Sequence, residues 1–135
     1  MKELKVEAKD ENLSEVLGFL DGELEAIDCP LKIQMQLDVA VEELYVNIAH
    51  YAYAPETGKA IIGIETGLDP ARITIVFKDC GKPFDPTAKA DPDITLSAQE
   101  RQIGGLGIYM AKKAVDEMKY EYVDGQNILT LSRVL

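Results

Sequence analysis

A chain of 135 residues is the size of one ordinary domain, and with 47% hydrophobic and 28% charged residues it can bury a core without disulfides or metal. A net charge of −10 argues against nonspecific nucleic-acid binding, which needs a basic footprint. It leaves room for a nucleotide held by a few backbone amides and one cation, and it suits a basic or mixed-charge protein partner.

Cys29 and Cys80 form no CxxC and His50 is the only histidine, which speaks against structural zinc. Both cysteines are expected to be small buried residues in a reducing compartment. Met1-Lys2-Glu3-Leu4-Lys5 lacks the apolar centre of a signal peptide, and no apolar run approaches the roughly 18–20 residues of a membrane span. The expectation is a cytoplasmic chain without membrane contact.

Residues 2–8 alternate, with Leu4 and Val6 on one side and Lys5 and Glu7 on the other, which predicts a short strand. Asp10 or Asn12 suits the cap of a helix whose apolar residues Leu13, Val16, Leu17 and Leu20 recur at helical spacing. Pro30 fits the first position of a second helix reaching about residue 53, with Ile33, Leu37, Ala40, Val41, Leu44 and Ile48 in a broad apolar stripe. Pro55-Glu56-Thr57-Gly58 reads as a turn, residues 60–65 as a strand, Gly67-Leu68-Asp69-Pro70 as a turn and residues 72–79 as a strand. Residues 86–105 lack steady periodicity and read as a functional lid. A helix is predicted over 106–118, then strands over 119–123 and 128–133 joined by the hairpin signal Asp124-Gly125-Gln126-Asn127.

The order β-α-α-β-β-loop-α-β-β makes residues 1–135 one α+β domain. It is a two-layer sandwich, with a mixed, mostly antiparallel sheet and helices on one face. With Ile62 and Ile64 toward the helices, Ile61 faces outward, and Leu129 and Leu131 alternate with Thr130. The outer face is either partly covered or carries scattered apolar residues.

Three segments carry chemistry. Glu43, Asn47 and His50, four and then three apart, share one helix face. They are either a solvated stripe or a site: an amide oxygen suits magnesium, and a carboxylate one turn earlier suits a general base. Asp79 follows Ile73, Ile75 and Phe77 on one strand face, so its carboxylate is half buried and needs a donor. That donor is either a backbone amide of the strand-end turn or an adenine exocyclic amine, with Gly81 allowing close approach of a flat ring. Gly104-Gly105-Leu106-Gly107 opens a helix, whose free amides and dipole favour phosphate, although it is neither a Walker loop nor a dinucleotide fingerprint. Arg101 just before it can neutralise a terminal phosphate.

In order and combination these segments resemble the GHKL ATPase superfamily, which includes DNA gyrase, heat-shock chaperones and bacterial histidine kinases. Glu43-Leu44-Tyr45-Val46-Asn47 looks like its N box, Asp79-Cys80-Gly81-Lys82-Pro83-Phe84-Asp85 like its first glycine box and Gly104-Gly105-Leu106-Gly107-Ile108 like its second. Asn127-Ile128-Leu129-Thr130-Leu131 resembles the closing strand, whose threonine helps the aspartate hold adenine. The match spans roughly residues 30–133. The short chain, the opening strand and helix, and the tail Asn47-Ile48-Ala49-His50-Tyr51-Ala52-Tyr53 are similar to anti-sigma factor serine kinases of the RsbW and SpoIIAB type.

The resemblance implies Glu43 as base and Asn47 as magnesium ligand. It also implies an ATP site of Asn47, Asp79, Gly81, Phe84, Arg101, Gly104, Gly105, Leu106, Gly107 and Thr130. It differs in one place: Tyr51 stands where members often carry a histidine, and His50 lies one residue earlier, about 100° around the helix. No phosphoaccepting histidine region accompanies the motifs, so autophosphorylation on histidine is not expected.

The implied activity is phosphorylation of a serine or threonine on an anti-anti-sigma-like partner, in a protein that also binds a sigma factor, with a homodimer among the assemblies this allows. The alternative is a nucleotide-dependent module that sequesters a regulator without transfer, and a third class is a detached ATPase or histidine-kinase fragment. Residues 86–104 have no sustained apolar face, so bound ATP is expected to order them.

Overall fold

The computed structural model describes residues 1–88 and 105–135, with side chains in the second stretch from Gly107 onward. β1 (Lys2–Glu7) leads through a 3-10 turn (Asp10–Asn12) to α1 (Leu13–Ala26). α2 (Leu31–Asn47) continues into a π turn (Ile48–Ala52). β2 (Lys59–Gly67), β3 (Arg72–Asp79), a 3-10 turn (Pro86–Ala88), α3 (Gly105–Ala114), β4 (Glu117–Val123) and β5 (Gln126–Val134) follow.

The strands lie in the order β1-β2-β3-β5-β4. All four pairings among the described residues are antiparallel, which narrows the expected mixed sheet. The register aligns Leu4, Ile62, Phe77, Leu129 and Tyr120 in one row across the sheet, and Val6, Ala60, Asp79, Asn127 and Tyr122 in the next. Strand side chains alternate, so these rows share one face.

That face meets the helices. Val16, Leu20 and Leu24 of α1, Leu37, Ala40, Val41 and Leu44 of α2, and Ala111 and Ala114 of α3 join it in one core. Each fully buried leucine or isoleucine there contributes roughly 1.5–3 kcal/mol, so the inner face sets the register. On the outer face Ile61 and Ile128 are half-buried. Met1 supplies part of the cover: a Cβ at Gly63 would lie 2.7 Å from its Sδ.

Tyr45 ties β1 to α2. Its ring is fully buried, and its hydroxyl lies 2.7 Å from the Lys9 carbonyl and 3.1 Å from that of Glu7 while accepting the Lys9 amide. A buried phenol without such partners costs free energy on the order of 1–3 kcal/mol.

Several boundaries differ from expectation. Asn12 does not cap α1; its side chain donates 2.8 Å to the Glu7 carbonyl, and a 3-10 turn starts the helix instead. Pro30 precedes α2 in an extended conformation, one residue before its expected place. α3 ends at Ala114, whose carbonyl accepts from Arg133 Nη1 at 2.5 Å. The Asp116 amide then donates 2.9 Å to the Ser132 carbonyl, so β5 captures the chain before Met118 and β4 begins at Glu117. Cys29 is half-buried and Cys80 exposed, so neither is the buried residue expected. No helix among the described residues is long and apolar enough to cross a membrane.

Candidate nucleotide site

A cavity of about 340 Å³ lies between the C-terminal end of α2, its π turn and the inner face of β3 and β5. Leu44, Ile48, Ala52, Phe77, Phe84, Pro86, Ile108 and Leu129 give it apolar walls, and Asn47, Tyr51, Asp79, Tyr120 and Asn127 carry its polar groups. Apolar walls with a few convergent polar groups are the usual form of a small-molecule site.

Asp79 and Asn127 are cross-strand neighbours at the end of β3, each only 7% exposed. Asn127 Nδ2 donates 2.9 Å to Asp79 Oδ1 and 2.9 Å to the Lys82 carbonyl. Asn127 Oδ1 accepts the Tyr120 hydroxyl at 2.5 Å and the Phe84 amide at 3.2 Å. All donor and acceptor capacity of the amide is thus engaged, which a buried amide requires. Burial raises the Tyr120 hydroxyl above its ordinary pKa, the Phe84 backbone lowers it, and the charges of Asp85 and Asp79 raise it further. The phenol therefore remains a neutral donor.

The Gly81 amide donates 2.9 Å to the same Asp79 Oδ1. Asp79 is thus held by the strand-end turn, and it also lines the cavity.

Thr130 is a correction. It pairs with Val76, one residue out of phase with Asp79, and lies on the opposite face of the sheet. Asn127 occupies the place beside the aspartate. Gly81 also differs from expectation: a Cβ there would lie 2.3 Å from the Ala52 carbonyl oxygen, which accepts the Lys82 amide at 2.9 Å. The glycine allows the loop after β3 to dock on the π turn. Phe84 lines the cavity and is half exposed.

Asn47 is the last residue of α2 and lines the cavity. Glu43, one turn earlier, is half-buried and lies outside the lining. Its carboxylate sits against the first turn of α3, where a Cβ at Gly107 would be 2.3 Å from Glu43 Oε2. The positive end of that helix favours a carboxylate there.

His50 does not join this pair. Its Nε2 lies 2.8 and 2.9 Å from the two carboxylate oxygens of Asp10, in an exposed contact. The π turn widens the winding after Asn47, and Tyr51, four residues on, is the residue that reaches the cavity. Gly105 opens α3. Arg101, Gly104, the Leu106 side chain and residues 89–104 of the expected lid lie outside the described residues.

The profile of the histidine kinase-like ATPase domain matches residues 6–133. The chain belongs to this family. It is 26% identical over 101 residues to the serine/threonine-protein kinase BtrW of Bordetella bronchiseptica, covering 75% of this chain and 70% of that protein. It is 26% identical over 132 residues to the serine-protein kinase RsbW of Bacillus velezensis, covering 93% and 81%. It is 26% identical over 129 residues to the anti-sigma F factor of Caldanaerobacter subterraneus, covering 96% and 89%. The fold is similar to a crystal structure of the RsbU and RsbW domains of a Mycobacterium tuberculosis protein, with a TM-score of 0.67 at 17% identity. That match covers 100% of this chain but 33% of the other, so this chain spans about a third of it.

Proposed function

We propose that this chain is one ATP-binding domain acting as a serine/threonine-protein kinase of the anti-sigma type. It would phosphorylate an anti-anti-sigma-like partner and bind a sigma factor. The observation that carries this reading is Asp79, buried with Asn127 at the polar end of an apolar cavity. A carboxylate fixed by two donors on one oxygen is preorganised to accept an exocyclic amine. The apolar walls suit a flat purine, and membership of the ATPase family supports the same ligand.

When bound, magnesium-ATP supplies the transferable phosphoryl group and a cation that neutralises its charge. Asn47 would offer its amide oxygen to magnesium. The first amides of α3 would hold phosphate oxygens, with Arg101 as a counter-charge. Glu43 would accept the proton of the attacking hydroxyl. Relatives named serine-protein kinase and anti-sigma F factor support the partner class.

A second reading is nucleotide-dependent sequestration of a regulator without transfer. It is favoured by one observation: the Glu43 carboxylate lies against α3 and not in the cavity wall. Incubation with labelled ATP, magnesium and an anti-anti-sigma-like protein separates the two. Phosphoserine or phosphothreonine on that protein supports the kinase. Nucleotide-dependent binding without a label on it supports sequestration.

A further inference from the structure

Leu31, Met35 and Val39 are 70%, 59% and 39% exposed, although α2 is the central helix of its layer. Steps of four residues turn about 40° each, so the three side chains lie within about 80° of arc on one face. A surface helix normally presents polar residues there, and an apolar row of this kind marks a contact.

The margin of the row tells what fits it. On the α1 side stand Asp38 and Glu42 of α2, with Asp21 and Glu25 of α1 close enough to perturb Asp38. Asp21 and Asp38 each bury an Oδ1 that has no donor among the described residues. On the opposite margin Lys32 of α2 is exposed beside Leu31, and Arg133 of β5 has its guanidinium engaged with the Ala114 carbonyl and Gln36 Oε1. Cys29, in the α1–α2 connection, is held above its ordinary pKa by burial, against the pull of Arg133 and with a further push from Asp38.

We propose that this face of α2 docks a basic amphipathic helix of a partner protein, with apolar residues on Leu31, Met35 and Val39 and cations over Asp38, Glu42, Asp21 and Glu25. Apolar anchors at helical spacing with complementary charge beside them are a recurrent recognition mode. A second copy of this chain would bring the same acidic margin and its own net charge of −10, so it is disfavoured. Met35 and Asn47 are twelve residues apart on one helix, about 18 Å, so the face is separate from the nucleotide cavity. The proposal goes beyond the kinase reading and does not require phosphoryl transfer.

The acidic margin also supplies a readout. Burial first, then contact with Asp21 and the charges of Asp21, Glu25 and Glu42, raise Asp38 to about 7. Arriving cations lower it, so docking at pH 7 releases protons.

The test uses the full chain and a labelled synthetic helix of leucine and lysine at amphipathic spacing, with a leucine–glutamate counterpart. The lysine helix is expected to bind and the glutamate helix not. The double substitution Leu31→Ser/Met35→Ser should weaken binding at least tenfold with ATP affinity and circular dichroism unchanged. Calorimetry in two buffers of different ionisation enthalpy should show proton release that Asp38→Asn removes. Equal binding of both helices, or undiminished binding by the double substitution, overturns the proposal. So does self-association abolished by that substitution, which assigns the face to a second copy. Loss of ATP binding in the parent chain would sink the kinase reading and leave this one standing.

Discussion

Asn127 and Asp79 face each other across β5 and β3, joined by a 2.9 Å hydrogen bond from the amide to the carboxylate. Removing the amide leaves the Tyr120 hydroxyl and the Phe84 amide without their shared acceptor. Asn127→Ala should therefore lower unfolding free energy by about 1–3 kcal/mol in chemical denaturation and weaken ATP binding as well. Thr130→Val, on the other face, should leave ATP affinity within about twofold, since surface substitutions away from special features are usually within about 0.5 kcal/mol. The reverse ranking by calorimetry would restore the threonine to the site.

Asp79→Asn keeps the shape but puts a donor where the site needs an acceptor. ATP affinity should fall, and GTP should remain a poor ligand. Unchanged ATP affinity would falsify the placement of adenine at Asp79.

Glu43→Ala and Asn47→Ala should separate chemistry from binding. With Glu43 as the base, the first change should keep ATP affinity and lower turnover by on the order of 10²–10⁴. The second should weaken the magnesium-dependent part of binding. Unaltered turnover in the Glu43 variant favours sequestration over transfer, and a magnesium titration matching the parent's removes Asn47 from the metal.

The acid pair between α1 and α2 sets a pH dependence. The folded-state pKa of Asp38, about 7, lies above the ordinary value of 3.8, so the folded chain holds a proton that the unfolded chain has lost. Stability from this group is full below about 4, falls as pH rises, and is gone above about 7. Asp38→Asn has no proton to lose and offers Asp21 a donor. It should melt higher than the parent at pH 8, with the gap closing toward pH 4. Parallel melting profiles across that range would exclude the pair as the cause.

Much of the fold was legible because it is local. Leu4 and Val6, Ile73 to Phe77, and the stripe of α2 announce their faces by spacing alone, and the two glycine segments mark the strand end and the helix start. What was missed depends on partners distant in sequence. The π turn after Asn47 accompanies the pairing of His50 with Asp10, and nothing in residues 47–53 announces that change of winding or that contact. Arg133 and Ser132 end α3 from across the sheet. Asn127 was within reach. Leu129 and Leu131 face inward, so alternation puts Asn127 inward and Thr130 outward, whereas the motif likeness alone points to the threonine.

The β4–β5 turn is two residues long, Asp124 and Gly125, with φ angles of 53° and 77°. It accepts those left-handed angles because aspartate tolerates them and glycine meets no steric cost. Its length decides which side of an edge strand looks inward. With β5 anchored to β3, one inserted residue would slide β4 by a single position. Lys119 and Glu121 would then turn toward the helices, and Tyr120 would point into solvent, away from Asn127. A hairpin tip at the rim of the sheet thus governs the polarity of a cavity whose walls it does not touch. Loop-grafting at this tip has to conserve parity: two extra residues can be absorbed where one cannot.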